Sequence, residues 1–118
     1  MSTLKTNTIK NTDDVEMYLA KAWVNFNGQG TVAIRAAGNV SSITDNGTGD
    51  YTVNFTTAMV DADYAWTHGV SDGNTIGLGR MVNPRNVSTK STTQFQVELQ
   101  HPSSGLNDAD YLCLAFFR

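Results

Sequence analysis

Hydrolases and transferases work with a nucleophile beside a base, a carboxylate pair or a metal ion. The residues able to supply these are few in this chain: two histidines, one cysteine and 11 acidic residues. His68 and His101 lie far apart, and neither has a Cys, His or Glu partner at metal-ligand spacing. His68 falls in step with Trp66 and Val70, which predicts a packed histidine on a strand face. His101 precedes Pro102 at a strand end and is expected to be exposed. Asp61-Ala62-Asp63 has the oxygens to hold a cation, but a turn whose Asp side chains accept backbone N–H groups is the better reading. Asp45-Asn46-Gly47-Thr48-Gly49-Asp50 superficially matches a calcium loop, yet Thr56 stands where that loop places its bidentate acid. Gly77-Leu78-Gly79-Arg80 lacks the third glycine and the following helix of a dinucleotide fingerprint. No catalytic, cofactor-binding or metal-ligating residue is therefore expected, and the chain is read as not an enzyme.

Composition narrows the partners in the same way. With 118 residues and 12.8 kDa the chain makes one domain. A net charge of −3 and a pI near 5.1 give no basic surface for nucleic acid. No apolar run reaches the length of a transmembrane helix, so no membrane insertion is expected. The opening MSTLKTNTIKN lacks the apolar core of a signal peptide. Without one, the Asn-x-Ser/Thr triplets at Asn39, Asn46, Asn54 and Asn86 read as composition rather than glycosylation acceptors. Cys113 has no partner for an internal disulfide. Charged residues are only 16% of the chain, and their place is taken by 15 Thr, 11 Asn and 8 Ser. Thr is β-branched, and Asn and Ser favour turns, so the composition points to strands and turns.

The elements follow from period-2 alternation. Ala22, Val24 and Phe26 alternate with Trp23, Asn25 and Asn27. After the turn Asn27-Gly28-Gln29-Gly30, Val32 and Ile34 alternate with Thr31, Ala33 and Arg35, which predicts a hairpin. A second hairpin joins Val40–Thr44 to Tyr51, Val53 and Phe55 through residues 45–50. Tyr64, Trp66, His68 and Val70 make another strand, and Ile76, Leu78, Arg80 and Val82 the next, broken at Asn83-Pro84-Arg85-Asn86. Phe95, Val97 and Leu99 alternate with glutamines and Glu98, and residues 110–118 close the chain. The expected fold is an all-β antiparallel sandwich of about eight strands, jelly-roll-like. Val24, Phe26, Val32, Ile34, Val53, Phe55, Phe95, Val97, Leu99, Leu112 and Leu114 should face inward.

Residues 1–19 keep no such rhythm and read as an arm ahead of a surface module at 20–118. Either a short strand at Leu4–Ile9 leads into a turn at Asn11–Asp14, or a helix runs from Thr12 or Asp13 through Leu19. Leu4, Ile9, Val15 and Leu19 are its candidate docking residues. The last strand is apolar on both faces, which implies a second cover by another sheet, a neighbouring subunit or the arm. Trp23 alternates out of the Val24 and Phe26 set. An exposed Trp of this kind stacks on a sugar or, more commonly, covers a neighbouring subunit or loop. Trp23, Tyr111, Cys113 and Phe117 are the candidate subunit interface.

The stretch Ala22-Trp-Val-Asn-Phe-Asn-Gly-Gln-Gly-Thr-Val-Ala-Ile-Arg35, followed by Asn39-Val-Ser-Ser-Ile-Thr-Asp-Asn-Gly-Thr-Gly-Asp-Tyr-Thr-Val-Asn-Phe-Thr-Thr-Ala-Met59, resembles a structural module of tailed bacteriophages. It is similar to the terminal domain of tail-fibre and tail-associated proteins of aquatic phages. The ending Tyr111–Arg118 resembles the last strand of that module, and Ser2–Ile9 resembles the start of other phage virion proteins. The resemblance is close over 20–64, loose at both ends and poor over 65–109. It implies a virion structural protein, a homotrimer, assembled in the bacterial host cytoplasm with other tail or capsid proteins. No shaft-forming stretch separates arm from module, which leaves a short spike, a head fibre or a capsid decoration (cement) protein beside a tail fibre. A host-surface glycan or protein would be met by loops, which carry binding residues on rigid scaffolds. The candidate loops hold Asp72, Gly73 and Asn74, then Asn83, Arg85 and Asn86, then His101 and the residues to Asn107.

Overall fold

The computed structural model describes residues 2–71 and 90–118 and the backbone of 81–84. The strands are β1 (Ala22–Asn27), β2 (Ala33–Gly38), β3 (Val40–Gly47), β4 (Asp50–Phe55), β5 (Ala65–Ser71), β6 (Met81–Pro84), β7 (Gln94–His101), β8 (Gly105–Leu106) and β9 (Tyr111–Phe117). No helix occurs among the described residues. Four strands form one sheet in the order β2-β1-β9-β5, and four form the other as β3-β4-β7-β6, where the short β8 also pairs with β7. Every pairing is antiparallel. The chain is thus the all-β sandwich that its alternation predicts.

The core lies between the sheets. Val24 and Phe26 of β1 and Leu112, Leu114 and Phe116 of β9 meet Tyr51, Val53 and Phe55 of β4 and Phe95, Val97 and Leu99 of β7. Phe55, Phe95 and Phe116 pack edge-on around Tyr64, with ring centroids 5.1 to 6.2 Å apart. Such pairs add to the burial of the rings themselves. Both hairpins form. The first is tightened by Gly28, where a Cβ would meet the Tyr51 hydroxyl at 2.6 Å and Leu112 Cδ1 at 2.8 Å. The second turns through Gly49, at φ +64° and also without space for a side chain.

Three expectations need correction. Ile34 pairs with the inward-facing Phe26 as expected, but it is 37% exposed, because β2 is an edge strand and a bulge at Asn25/Phe26 shifts its pairing. Val32 faces inward as expected, partly buried and packed against the core. His68 pairs with Leu114 on the inward side of β5, yet it is exposed and stacks on Trp66 at 5.7 Å. Residues 83 and 84 do not break a strand. They end β6, opposite Glu98 and Val97, and an edge strand tolerates proline because its outer N–H side has no ladder partner. Ile76, Leu78 and Arg80 lie outside the described residues.

The arm is neither a strand over 4–9 nor a helix. It holds one miniature hairpin, in which Lys10 bridges Glu16 and Met17 N donates to Ile9 O at 2.7 Å. The turn falls at Asn11–Asp14. Asn11 Oδ1 accepts from the Asp13 and Val15 N–H groups, and Asp14 takes φ +64°. Residues 2–20 are exposed throughout. Lys21 N donates to Phe116 O, so the arm leaves the sandwich beside the end of β9.

Candidate functional site

The two sheets differ in what they turn outward. On the second sheet Asp50 and Thr52 point away from the core but are buried beneath neighbouring side chains. Asn46 Nδ2 donates to Asp50 Oδ1 at 3.2 Å and to Thr52 Oγ1 at 2.9 Å, and Gln96 Nε2 donates to Asp50 Oδ1 at 2.8 Å. Asn54 Nδ2 donates to Ser42 Oγ and Thr44 Oγ1 alongside. This face is polar and covers itself.

The first sheet is the opposite. Its strands β1, β2, β5 and β9 contain no Asp or Glu, and Arg35 is their one Lys or Arg. Register places Trp23 opposite Ala115 and Gly38, Asn25 opposite Cys113 and Ala36, and Thr67 and Gly69 opposite Ala115 and Cys113. Tyr111, Cys113, Ala115 and Phe117 alternate outward along β9. The four residues singled out as a subunit interface, Trp23, Tyr111, Cys113 and Phe117, therefore share one outward face. Trp23 is 43% exposed, Tyr111 45% and Phe117 36%. The indole of Trp23 lies over Gly38, where a Cβ would collide with its Nε1 and Cδ1 atoms. Glycine there lets the ring lie flat on the sheet. Arg35 stacks on the Tyr111 ring at 3.9 Å and reaches Asn25 Oδ1 at 3.4 Å, a cation–π contact that holds its charge against the face. Both Arg35 and Asn25 alternate out of the inward sets of their strands in the sequence, but the seat of Arg35 on Tyr111 depends on the bulge in β1–β2.

The docking residues Leu4, Ile9, Val15 and Leu19 are exposed on the arm, as are Met17 and Tyr18. Arm residues 6–9 and 16–19 face Lys21, Phe117 and Arg118 across a cleft of about 480 Å³. At the same end Arg118 clamps Asp61 by two 2.8 Å hydrogen bonds. These bonds, with the Asp63 N–H, hold the Asp61 carboxyl down at about 2. The aspartates at 61 and 63 thus form a turn and an ion pair, and no group of three metal-ligating side chains occurs among the described residues.

The candidate loops are only partly in view. Asp72, Gly73, Asn74, Arg85 and Asn86 lie outside the described residues, and Asn83 is seen only as backbone in β6, opposite Glu98. His101 ends β7 opposite Gly105 and is half-buried rather than exposed; its Nδ1 accepts from Ser103 N at 3.2 Å and closes the turn. Ser71 and Met81, which flank 72–80, pair with Tyr111 and Gln100 at the end of the sandwich far from the arm. Pro84 and Lys90, which flank 85–89, pair with Val97 and Phe95, toward the arm end. No family model, curated protein or solved structure matches the chain.

Proposed function

We propose that this chain is a non-enzymatic virion structural protein of a tailed bacteriophage, a trimeric tail-fibre or spike-type surface module docked by its N-terminal arm and contacting the host at its far end. The observation that carries the reading is the arm itself. Leu4, Ile9, Val15, Met17, Tyr18 and Leu19 are half of the large apolar side chains that the described residues leave exposed. Apolar groups gathered on a segment with no cover of its own are the mark of a partner surface. The resemblance of residues 20–64 to phage fibre modules names the kind of assembly. A capsid decoration or head-fibre protein is the second reading. It is favoured because Ala22 opens β1 directly after the arm, with no shaft between them. Antibodies against residues 20–118, applied to purified phage particles and imaged by electron microscopy, test both. Labelling of tail tips or spikes supports the first reading and labelling of the head the second. Particles left unlabelled although the chain is made in infected cells overturn both.

A further inference from the structure

We propose that the outer face of the β2-β1-β9-β5 sheet is a self-association surface, covered in the assembled protein by the N-terminal arm of a second copy. The proposal rests on the oligomeric reading above and names the surface that the oligomer uses. Exposed apolar groups fall in two places, six on the arm and three, Trp23, Tyr111 and Phe117, on this one face. Elsewhere among the described residues they are scattered singly, at Ile34, Val60 and Leu106. Between the aromatic rings the face carries Gly38, Ala36, Cys113, Ala115, Gly69 and Ala65, side chains too small to obstruct a segment laid across it. The second sheet, with its hydrogen-bonded polar cover, offers nothing comparable.

Area argues for the arm as occupant. Four strands about 4.8 Å apart and about seven residues long span roughly 440 Å² in plan. A stable interface takes about 800 Å² of accessible surface from each partner, and an arm laid on the face adds its own area to that of the sheet. An arm of exposed residues also brings its own apolar side chains. Charge agrees. The arm's hairpin tip carries Lys10 against Asp13, Asp14 and Glu16, and Lys10 is already paired with Asp14 at 2.9 Å. The tip is acidic, and the face it would meet has Arg35 and no carboxylate in its strands. Position agrees as well. The arm leaves its own sandwich at Lys21 beside the end of β9, with Phe117 lining the cleft between them. It starts at the rim of one such face.

The test uses the full-length chain with Tyr18 replaced by photo-reactive p-benzoylphenylalanine, co-refolded from isotope-labelled and unlabelled copies. Irradiation and mass spectrometry should place labelled-to-unlabelled cross-links from position 18 on β1, β2 or β9. Cross-links confined within single copies, or between copies but on β3 and β4, overturn the proposal. Sedimentation of two further variants gives a second readout. Ala36→Glu puts a carboxylate on the face and should raise the subunit dissociation constant on the order of a hundredfold, with the thermal melt retained. Thr44→Glu puts the same charge outside the second sheet and should leave assembly unchanged. A monomeric parent chain, or equal effects of the two variants, refutes the surface. Both outcomes leave the virion reading to be judged separately by where the antibodies label.

Discussion

Tyr51 is fully buried, and a buried phenol must find its hydrogen-bond partners inside the protein. Its hydroxyl has one proton to share between Asp108 Oδ1 at 2.6 Å and the Gly28 carbonyl at 2.8 Å. Burial pushes the phenol far above its ordinary range, with the Asp108 hydrogen bond the next cause, so it stays a neutral donor. The same carboxylate oxygen accepts from Gly49 N at 2.8 Å. One aspartate thereby ties the turn after β1, the turn before β4 and the segment entering β9. Asp108→Ala should lower stability by about 1–3 kcal/mol, the cost of stranding buried donors, and Asp108→Asn by less. Chemical denaturation measures both; an Ala variant as stable as the parent would show that the Gly28 carbonyl suffices. The Asp61–Arg118 pair makes a prediction about pH. Its folded carboxyl sits at about 2, below the unfolded value of 3.8, so its contribution is present above pH 4 and fades as pH falls toward 2. Thermal melts of the parent and Asp61→Asn should differ at pH 6 and converge near pH 2. Both side chains are solvent-exposed, so the gap should be small and should shrink with salt. A gap that persists at pH 2 would rule out the ion pair as its source.

Among the elements, the central strands were the most legible from sequence. In β4 and β7 every second residue is large and apolar, and Val53, Phe55, Phe95, Val97 and Leu99 are buried as their spacing requires. Truncating Phe55 to Ala removes a ring that packs on Tyr64 and Phe116 and should cost about 3–5 kcal/mol. An unchanged melting temperature would mean that the sandwich is not held together here. Edge strands were less legible because half of their environment is solvent, as Ile34 on β2 and His68 on β5 demonstrate. A bulge, a two-residue pairing such as β8 and the cation–π seat of Arg35 depend on cross-strand register, which alternation within one strand does not encode. The arm was legible as different but not as a shape. Its turn rests on Asn11 and a positive φ at Asp14, a local hydrogen-bond device with no periodic signature. Because residues 2–20 contribute nothing to the buried core, deleting residues 2–14 should leave a folded sandwich with near-parental circular dichroism that fails to join particles. An unfolded product would mean that the arm completes the core.

At the scale of the whole molecule the sandwich has two unlike ends. The chain enters at Lys21 and leaves at Arg118 on the same end, where Asn39 fastens the β2–β3 corner to the Lys21 and Thr57 carbonyls and Asp61 holds Arg118. At the opposite end Gly28, Gly49, Asp108 and Ala109 are clamped together, and His101 closes a turn nearby. With the arm, the molecule extends 47 Å along its longest axis against about 30 Å across. An elongated body with its apolar arm at one end directs the other end outward when the arm is seated on a particle. At that outer end Asp108 ties the turn before β4 to the segment entering β9, and scaffolds held in this way are where binding loops are carried. Ser71 and Met81 lie at this outer end, whereas Pro84 and Lys90 lie toward the arm. Host contact should accordingly divide between the loops. Asp72→Ala with Asn74→Ala and His101→Ala should leave folding and particle assembly intact and cut adsorption to host cells at least tenfold. Arg85→Ala with Asn86→Ala should leave adsorption of the assembled particles at the parental level. Adsorption assays on particles carrying each set decide the matter. If the outer set spoils assembly while adsorption of the assembled particles is unchanged, the outer end is itself a contact within the capsid or tail, and the decoration reading replaces the spike.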